Sequence, residues 1–422
     1  MREILYIVTL TSIVCWTTGC SSSSDTTPEG GEVVTPQECA IGFAPSFAVA
    51  EGNAAGQRTR AVGDGELTTA LLQEKGFGVY CWYTGTDNFT NAYEAKTVLM
   101  QNQRVTYSGA YWTYSPTKYW PLAADEKLTL RAYAPYVSYQ LQTHATTGLP
   151  LLPVVVTEDD YHNGTQHDPL WGTGKHEGAA DSDDDATDNE VYGKLYDNYT
   201  YTMSGDLLAA DARDGVIDWY FHHGMASLMF TCSVIADPGC DSVIIKSITV
   251  TPLYDKGLLS LSSHAGNKDE KPDWTDTSGN MTVKLTEGTP ATTAGDLAPR
   301  PGSADTDPTY IPYPFAIKTG STATKPVNLL SSGLLVIPRH FSDAATGETP
   351  RMVVTVKYTI DAESEEQTAI GYVENTTFYG NTSYKVGLTL TPATRGMEID
   401  IVQSAFTNWN QNVDITHEVY NW

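Results

Sequence analysis

The sequence predicts an all-β protein with few short helices, and three features of the chain support this fold class. Apolar residues recur at every second position in several stretches, a period typical of strands with one buried face. Clusters of Gly, Pro, Asn and Asp separate these stretches, which favours antiparallel sandwiches or barrels. Helical periodicity is scarce: one candidate helix, Glu66 to Lys75, has Leu67, Leu71 and Leu72 on one side and ends at Gly76.

Five stretches carry the strand pattern most clearly, and each is expected to bury its apolar set on one face of a sheet. In chain order, these sets are Phe77, Val79, Cys81 and Tyr83; Leu128, Leu130, Ala132 and Ala134; Ala226, Leu228, Phe230, Cys232 and Val234; Met352, Val354, Val356, Tyr358 and Ile360; and Tyr384, Val386, Leu388 and Leu390. Because successive side chains point to opposite faces, these strands are expected to be half-buried.

An earlier strand has a different composition. Large or rigid residues occupy its odd positions, namely Ile41, Phe43, Pro45, Phe47 and Val49, and only Ala, Gly and Ser fill the even ones. The proline confines this strand to the margin of a sheet or to a bulge.

A segment rich in Gly and Ala follows this strand and contains Arg58 and Arg60, directly before Ala61. An exposed, flexible segment with two arginines is a good site for proteolysis. The residues alone favour the simpler interpretation, in which the strand is the first of its sheet and the segment is an uncut loop.

Cys20 predicts export of the chain. It follows a short apolar segment, residues 4–16, and precedes a polar run, residues 21–25. The apolar segment is too short to span a bilayer, and small residues occupy the cleavage position, so residues 1–19 are expected to be a signal peptide and Cys20 a lipid-modified N-terminus. The alternative is a short membrane anchor or a buried first strand.

Composition and length set further bounds. With 18% charged and 41% hydrophobic residues, the chain is expected to be ordered, and 422 residues favour two domains. The formal net charge of −26 excludes electrostatic affinity for nucleic acid or for an anionic membrane surface. We expect the boundary near Ala236 to Cys240, which gives domains over 61–236 and 237–422, with a solvated acidic insertion over 157–205 in the first.

The cysteines leave alternatives open. Cys39, Cys81, Cys232 and Cys240 remain once the signal and the lipidated residue are set aside. A bridge from Cys232 to Cys240, or from Cys81 to Cys232, is one interpretation, and a buried thiol is the commoner fate of such residues.

The sequence predicts no enzyme, cofactor or metal site. It lacks a Gly-x-Ser-x-Gly elbow, a His-Glu-x-x-His helix and a glycine-rich phosphate loop. His222 and His223 border an apolar strand, where a structural role is expected. Ligand-type side chains occur irregularly at His162, His167, Asp168, His176 and Glu177, and the run of Asp181, Asp183 and Asp185 lacks the glycine and the closing glutamate of an EF-hand.

Several short motifs, in their order along the chain, resemble the fimbrillin family, the type V pilins and related surface lipoproteins of gram-negative bacteria. These are the lipobox before Cys20, the Arg60-Ala61 junction, Phe77 to Tyr80, Tyr119 to Pro121 leading into 128–135, Asp206 to Ala209 followed by Phe221 to His223, Ile248 to Leu261, and Tyr384 to Trp409. The resemblance spans nearly all of the chain.

This resemblance implies two tandem transthyretin-like β-sandwiches, made as an outer-membrane lipoprotein with a propeptide over 20–60. An arginine-specific protease would cut between Arg60 and Ala61, with Arg58 as the alternative, and would remove the strand that carries Ile41, Phe43, Phe47 and Val49. A strand from another fimbrial subunit would then fill the open groove by β-strand addition, which builds an adhesive cell-surface fimbrium.

Polymerisation needs a donor strand as well as a groove. Val413, Ile415 and Val419 alternate with polar residues in 410–422, which makes this segment the preferred donor; Ile399 and Ile401 mark a second candidate. The alternative is that both are ordinary edge strands of their own domain.

A different function class remains open: a monomeric outer-membrane lipoprotein that binds glycan or another surface ligand. Aromatic rings stack on sugars, and such rings cluster at Tyr107, Tyr111, Trp112, Tyr114, Tyr119 and Trp120.

Overall fold

The computed structural model describes residues 40–47, 69–109, 111–121, 123, 125–163, 166–174, 195–200, 215–235, 242–262, 273–285, 315–318, 326–329, 333–342, 350–360 and 365–405. Within these ranges the chain is nearly all β, as predicted, with two short α-helices, α1 (Thr69–Lys75) and α2 (Glu158–Asn163), and two 3-10 turns, Ala92–Glu94 and Pro392–Thr394. None of the helices in these ranges is both long and apolar enough to cross a membrane.

The strands up to residue 234 are β1 (Gly42–Phe47), β2 (Phe77–Gly85), β3 (Thr97–Tyr107), β4 (Trp112–Thr113), β5 (Lys127–Ala134), β6 (Gln142–Thr143), β7 (Pro150–Val155), β8 (Leu170–Thr173), β9 (Tyr196–Tyr199), β10 (Val216–His223) and β11 (Ala226–Val234). The later strands are β12 (Ser242–Leu253), β13 (Lys256–Ser260), β14 (Asp273–Ser278), β15 (Met281–Lys284), β16 (Phe315–Lys318), β17 (Val327–Asn328), β18 (Leu334–Val336), β19 (Arg339–Phe341), β20 (Met352–Ile360), β21 (Gln367–Val373), β22 (Thr376–Phe378), β23 (Thr382–Thr391) and β24 (Gly396–Ala405).

The N-terminal part is built on one large sheet with the strand order β1-β10-β8-β5-β2-β3-β4, in which β9 also pairs with β5. A second sheet, β14-β13-β7-β6, packs on one face through Leu152 and Leu259, which meet Tyr80 and Tyr133. The opposite face holds a separate core around Phe77. Both faces of β2 and β5 are therefore buried.

This double burial corrects the expectation of half-buried strands for β2 and β5. Tyr80 and Trp82 alternate with the predicted apolar set of β2, yet both are buried as well. Large aromatic residues on both faces of a strand indicate a sheet that has a hydrophobic core on each of its two faces.

The C-terminal part is a sandwich with one core between two sheets. One sheet has the order β17-β11-β23-β24, with β18 also on β11; the other has the order β15-β12-β20-β21, with β16 also on β12. The predicted alternation of β20 and β23 is confirmed, since Met352, Val354, Tyr384 and Val386 all lie in this core while the residues between them are more exposed.

The strand before the expected domain boundary belongs to the later core. Phe230 and Val234 of β11 are buried together with Val243 and Ile245 of β12. The expected boundary near 236–240 thus lies between two strands of one sandwich, and the chain passes from the first core to the second at residues 224–225.

Two pairings are parallel, β1 with β10 and β11 with β23, where the sequence favoured antiparallel neighbours.

The acidic segment 157–205 is not one continuous insertion. It contains α2, β8 and β9, and β8 pairs with both β5 and β10 in the large sheet. Leu170 and Trp171 are fully buried. β8 has four residues, which is too few to show the alternation of apolar and polar side chains that predicts a strand. The many acidic residues around it therefore made the whole segment look like a solvated insertion. Residues 164–165, 175–194 and 201–205 of this segment lie outside the described ranges.

The candidate helix is confirmed in part, as α1 begins at Thr69 and buries Leu72. It ends where expected, because Gly76 has a φ of +75° and donates its amide to the Leu72 carbonyl. A Cβ at Gly76 would lie 2.3 Å from the Val105 carbonyl oxygen, so the position requires glycine.

The described cysteines are buried free thiols. Cys81 lies in the N-terminal core and Cys232 in the C-terminal core, so the proposed bridge between them is wrong. Burial raises the pKa of the Cys232 thiol to about 12 and raises that of Cys81 as well, which keeps both protonated. Cys39 and Cys240 lie outside the described residues.

Candidate strand-acceptor groove

The first strand lies at the margin of the large sheet. In the described residues β1 pairs with one strand, β10, in parallel register from Gly42 opposite Val216 to Phe47 opposite Phe221. A marginal position accommodates Pro45, which has no amide hydrogen to donate to a second neighbour. The sequence predicted this placement from the proline.

The large side chains at the start of this strand enter the N-terminal core. Ile41 and Phe43 are 1% and 6% exposed. The ring centroid of Phe43 lies 6.1 Å from that of Phe77 and 5.3 Å from that of Tyr114. Two such side chains contribute about 3–6 kcal/mol when buried, at about 1.5–3 kcal/mol each.

Backbone groups hold the same end of the strand. Ile41 donates its amide to the Lys118 carbonyl at 2.9 Å, and Gly42 donates to the Gly215 carbonyl at 3.0 Å. The Tyr114 hydroxyl donates to the Ile41 carbonyl at 2.8 Å. Burial, the largest cause, raises the pKa of Tyr114 to about 12, so its hydroxyl stays protonated and able to donate.

Aromatic residues form the wall that faces the strand. Trp120 is buried and donates its indole N–H to the Gly215 carbonyl at 2.9 Å. Trp112 packs on Phe77, with 5.2 Å between ring centroids. We call the space bounded by β10, Phe77, Tyr114 and Trp120 the acceptor groove; in this structure β1 fills it.

The aromatic cluster considered as a glycan surface is therefore divided. Trp112, Tyr114 and Trp120 serve the groove and its core, which corrects the interpretation of these three residues as a stacking surface. Tyr111 and Tyr119 remain exposed, at 67% and 46%. This division could not be predicted from the sequence, because the cluster has no clear period.

Most of the other residues predicted to take part in lipidation, proteolytic cleavage and strand donation lie outside the described ranges. These are Cys20, Val49, Arg58, Arg60, Ala61, Val413, Ile415 and Val419. The second donor candidate is described: Ile399 and Ile401 lie in β24, which pairs along its whole length with β23 of the same chain. That segment is an edge strand of its own sandwich.

The two histidines at the end of β10 are both buried. The Nε2 atom of His222 lies 2.8 Å from Thr173 Oγ1, and burial lowers the pKa of His222 to about 3, with His223 adding to the effect. The imidazole is therefore neutral, which suits the structural role expected from the sequence.

His223 takes part in a polar junction between the two sandwiches. Its ring contacts the buried Asp168, whose other oxygen accepts the Met225 amide at 3.2 Å. The His223 amide donates to the Asn381 side chain, and Asn381 donates its own backbone amide to the Met225 carbonyl.

The side chains considered as metal ligands in the sequence do not form a site in the described residues. Asp168 is buried in the junction described above, whereas His167 is exposed. Over the described ranges, no group of three His, Cys, Asp or Glu side chains could hold a metal ion.

The solved structures to which this chain is similar include fimbrial proteins. A fimbrial protein from Bacteroides vulgatus shares 16% identity at a TM-score of 0.49, over 87% of this chain and 100% of that chain. The tip fimbrial protein Mfa3 from Porphyromonas gingivalis, with a C-terminal truncation, shares 10% identity at a TM-score of 0.31, over 79% of this chain and 94% of that one. The fimbrial anchor protein Mfa2 from the same organism shares 8% identity at a TM-score of 0.28, over 87% of this chain and 98% of that one.

No protein-family model matches the chain, and no curated protein matches it either. The names of the similar structures are those of fimbrial proteins and not of enzymes.

Proposed function

We propose that this chain is a subunit of adhesive cell-surface fimbriae that assembles by exchange of β1 for a strand of another subunit. The observation that supports this function best is the position of β1: a marginal strand, paired in the described sheet with β10 alone, that nevertheless places Ile41 and Phe43 in the core. Loss of such a strand would leave the rest of the sheet paired and an apolar groove open.

The proposed path of assembly is the one that the resemblance to the fimbrillin family implies. The chain is exported as a lipoprotein on Cys20 at the outer membrane, and an arginine-specific protease cuts between Arg60 and Ala61, or after Arg58. The propeptide over 20–60, which carries Ile41, Phe43, Phe47 and Val49, then leaves. Residues 410–422, beyond the last described strand, supply Val413, Ile415 and Val419 to the groove of a neighbouring subunit.

Cleavage is the physical trigger in this scheme. While β1 is covalently attached, it competes with any incoming strand at the high effective concentration of an intramolecular segment. After the cut it must bind as a separate peptide, so its advantage is lost. Main-chain hydrogen bonds and alternate side chains in the groove then favour the donor strand that stays attached to its own subunit.

The proposal is tested by the N-terminus of the mature protein. Mass spectrometry of surface material is expected to find Ala61 as the first residue, and Arg60→Gln together with Arg58→Gln is expected to leave the chain uncut and absent from high-mass assemblies. Lys75→Gln, an exposed change within α1, serves as the control. A chain that retains the lipidated Cys20 as its only surface form would contradict the proposal.

A further inference from the structure

Gly42 has no room for a side chain in the acceptor groove. A Cβ atom added to it would lie 2.9 Å from Val216 Cγ2 and 3.5 Å from the Val216 Cα. Valine is branched at Cβ and has few alternative rotamers, so it does not move aside at low cost. A strand in this place therefore needs glycine opposite Val216.

Backbone hydrogen bonds and the side-chain period together fix which residues of a strand in this place face Val216. The amides of Ile41 and Gly42 donate to the Lys118 and Gly215 carbonyls, and the Ile41 carbonyl accepts the Tyr114 hydroxyl. A shift by one residue would also turn the large side chains out of the core, because the side-chain period of a strand is two.

Residues 406–422 of this chain do not meet the requirement. They contain no glycine, and Asp414 stands between Val413 and Ile415. With Val413 and Ile415 in the places of Ile41 and Phe43, the Asp414 side chain would collide with Val216 Cγ2. It would also bring a carboxylate against an apolar neighbour, which costs free energy of desolvation.

We propose that the groove selects its partner through this contact: it accepts a strand parallel to β10 with glycine between two large apolar residues, supplied by a subunit of different sequence. The groove is open to a partner only if β1 leaves as described above, so this selectivity rests on the proposed function. The fimbrium that contains this chain is then mixed, since its groove rejects residues 410–422 of a second copy.

The glycine requirement is testable in the uncut chain by hydrogen exchange of residues 41–47. The triple variant Ile41→Val, Gly42→Asp, Phe43→Ile places the local sequence of 413–415 in the groove; its matched control is Ile41→Val, Phe43→Ile with Gly42 kept. Overpacking predicts at least about tenfold faster exchange in the triple variant than in the control. Adding Val216→Ala to Gly42→Val is expected to restore part of the protection that Gly42→Val loses. Equal exchange in the triple variant and its control would overturn the glycine requirement.

Partner selection is testable with synthetic peptides on chain that has been cut after Arg60 and freed of its first strand. We expect a peptide of residues 39–48 to bind, and a peptide of residues 410–422 to bind at least about tenfold more weakly. Equal or tighter binding of the 410–422 peptide would overturn the proposed selectivity for glycine, but it would not contradict assembly by strand exchange. Failure of peptide 39–48 itself to bind would overturn the proposed function and this selectivity with it.

Discussion

At the scale of single residues, Tyr114 links the two parts of the acceptor groove. Its ring packs against Phe43, and its hydroxyl donates to the Ile41 carbonyl. The same oxygen accepts the Lys118 amide at 3.2 Å, so one side chain fixes both β1 and the segment beside it. Removal of the hydroxyl alone separates the hydrogen bonds from the packing.

Tyr114→Phe is expected to loosen β1 without unfolding the protein. The ring contacts remain, whereas the Ile41 carbonyl loses its side-chain donor, a change of about 0.5–1.5 kcal/mol. Hydrogen exchange of residues 41–47 is the measurement, and it is expected to become about two- to tenfold faster.

Tyr111→Phe is the matched control for this substitution, because Tyr111 is 67% exposed and lies on the same segment. It is expected to leave exchange of β1 unchanged. If Tyr114→Phe behaved like Tyr111→Phe, the hydroxyl would have no part in holding the first strand.

At the scale of elements, β10 and β11 connect the acceptor groove to the C-terminal sandwich. β10 pairs with β1, and after residues 224–225 the chain continues as β11, which pairs in parallel with β23. Gly224 lies at the passage, where a Cβ would stand 2.5 Å from the Pro169 carbonyl oxygen and 2.9 Å from Leu259 Cδ2. Trp274 donates its indole N–H to the Gly224 carbonyl at 2.9 Å. The passage is therefore closely packed on both sides.

Gly224→Ala is expected to lower the free energy of unfolding by about 1–3 kcal/mol, because the added methyl group has a backbone oxygen and not a movable side chain as its nearest neighbour. Urea unfolding followed by tryptophan fluorescence measures the change.

Gly387→Ala in β23 is the matched control for the crowding at Gly224. A Cβ at Gly387 meets its nearest heavy atoms at 3.7 Å, an ordinary van der Waals contact. We expect its effect to be smaller than that of Gly224→Ala; the reverse order would show that crowding at the passage is not what limits substitution there.

At the scale of the whole molecule, the acceptor groove and the proposed donor segment lie in different parts of the chain. The groove belongs to the N-terminal sheet, whereas β24, the last described strand, completes the C-terminal sandwich at Ala405. Residues 410–422 follow that strand in the sequence and lie outside the described ranges. Donation and acceptance of strands can therefore be separated by substitution.

Deletion of residues 410–422 is expected to leave a folded monomer that can still accept a strand but no longer donates one, so the high-mass assemblies that contain it become shorter. The thermal midpoint, measured by circular dichroism, is expected to change little, because the deletion leaves β24 and every described strand of the sandwich intact. Denaturing gels of surface material without heating report the assemblies. Assemblies of undiminished size would remove this segment as the donor.

The sequence by itself located six of the strands, β1, β2, β5, β11, β20 and β23, and identified an apolar face on each. It located β20 and β23 by their period, placed β1 at a sheet margin through Pro45, and ended α1 at Gly76. It also identified Ile41 and Phe43 as the buried side of the first strand. These features depend on local sterics and on the alternation of side chains, which a single segment carries within itself.

Only the tertiary structure decided which strands become neighbours. The parallel pairing of β1 with β10, the place of β11 in the later core and the burial of both faces of β2 depend on segments far apart along the chain. Tyr114 and Trp120 line the groove because of contacts with distant segments of the chain, although the sequence analysis had included them in a candidate glycan-binding surface. The alternation of side chains shows that one face of a strand is apolar, but it does not show which segment covers that face. The hydrophobic effect has no direction, so many different apolar segments could bury the face equally well.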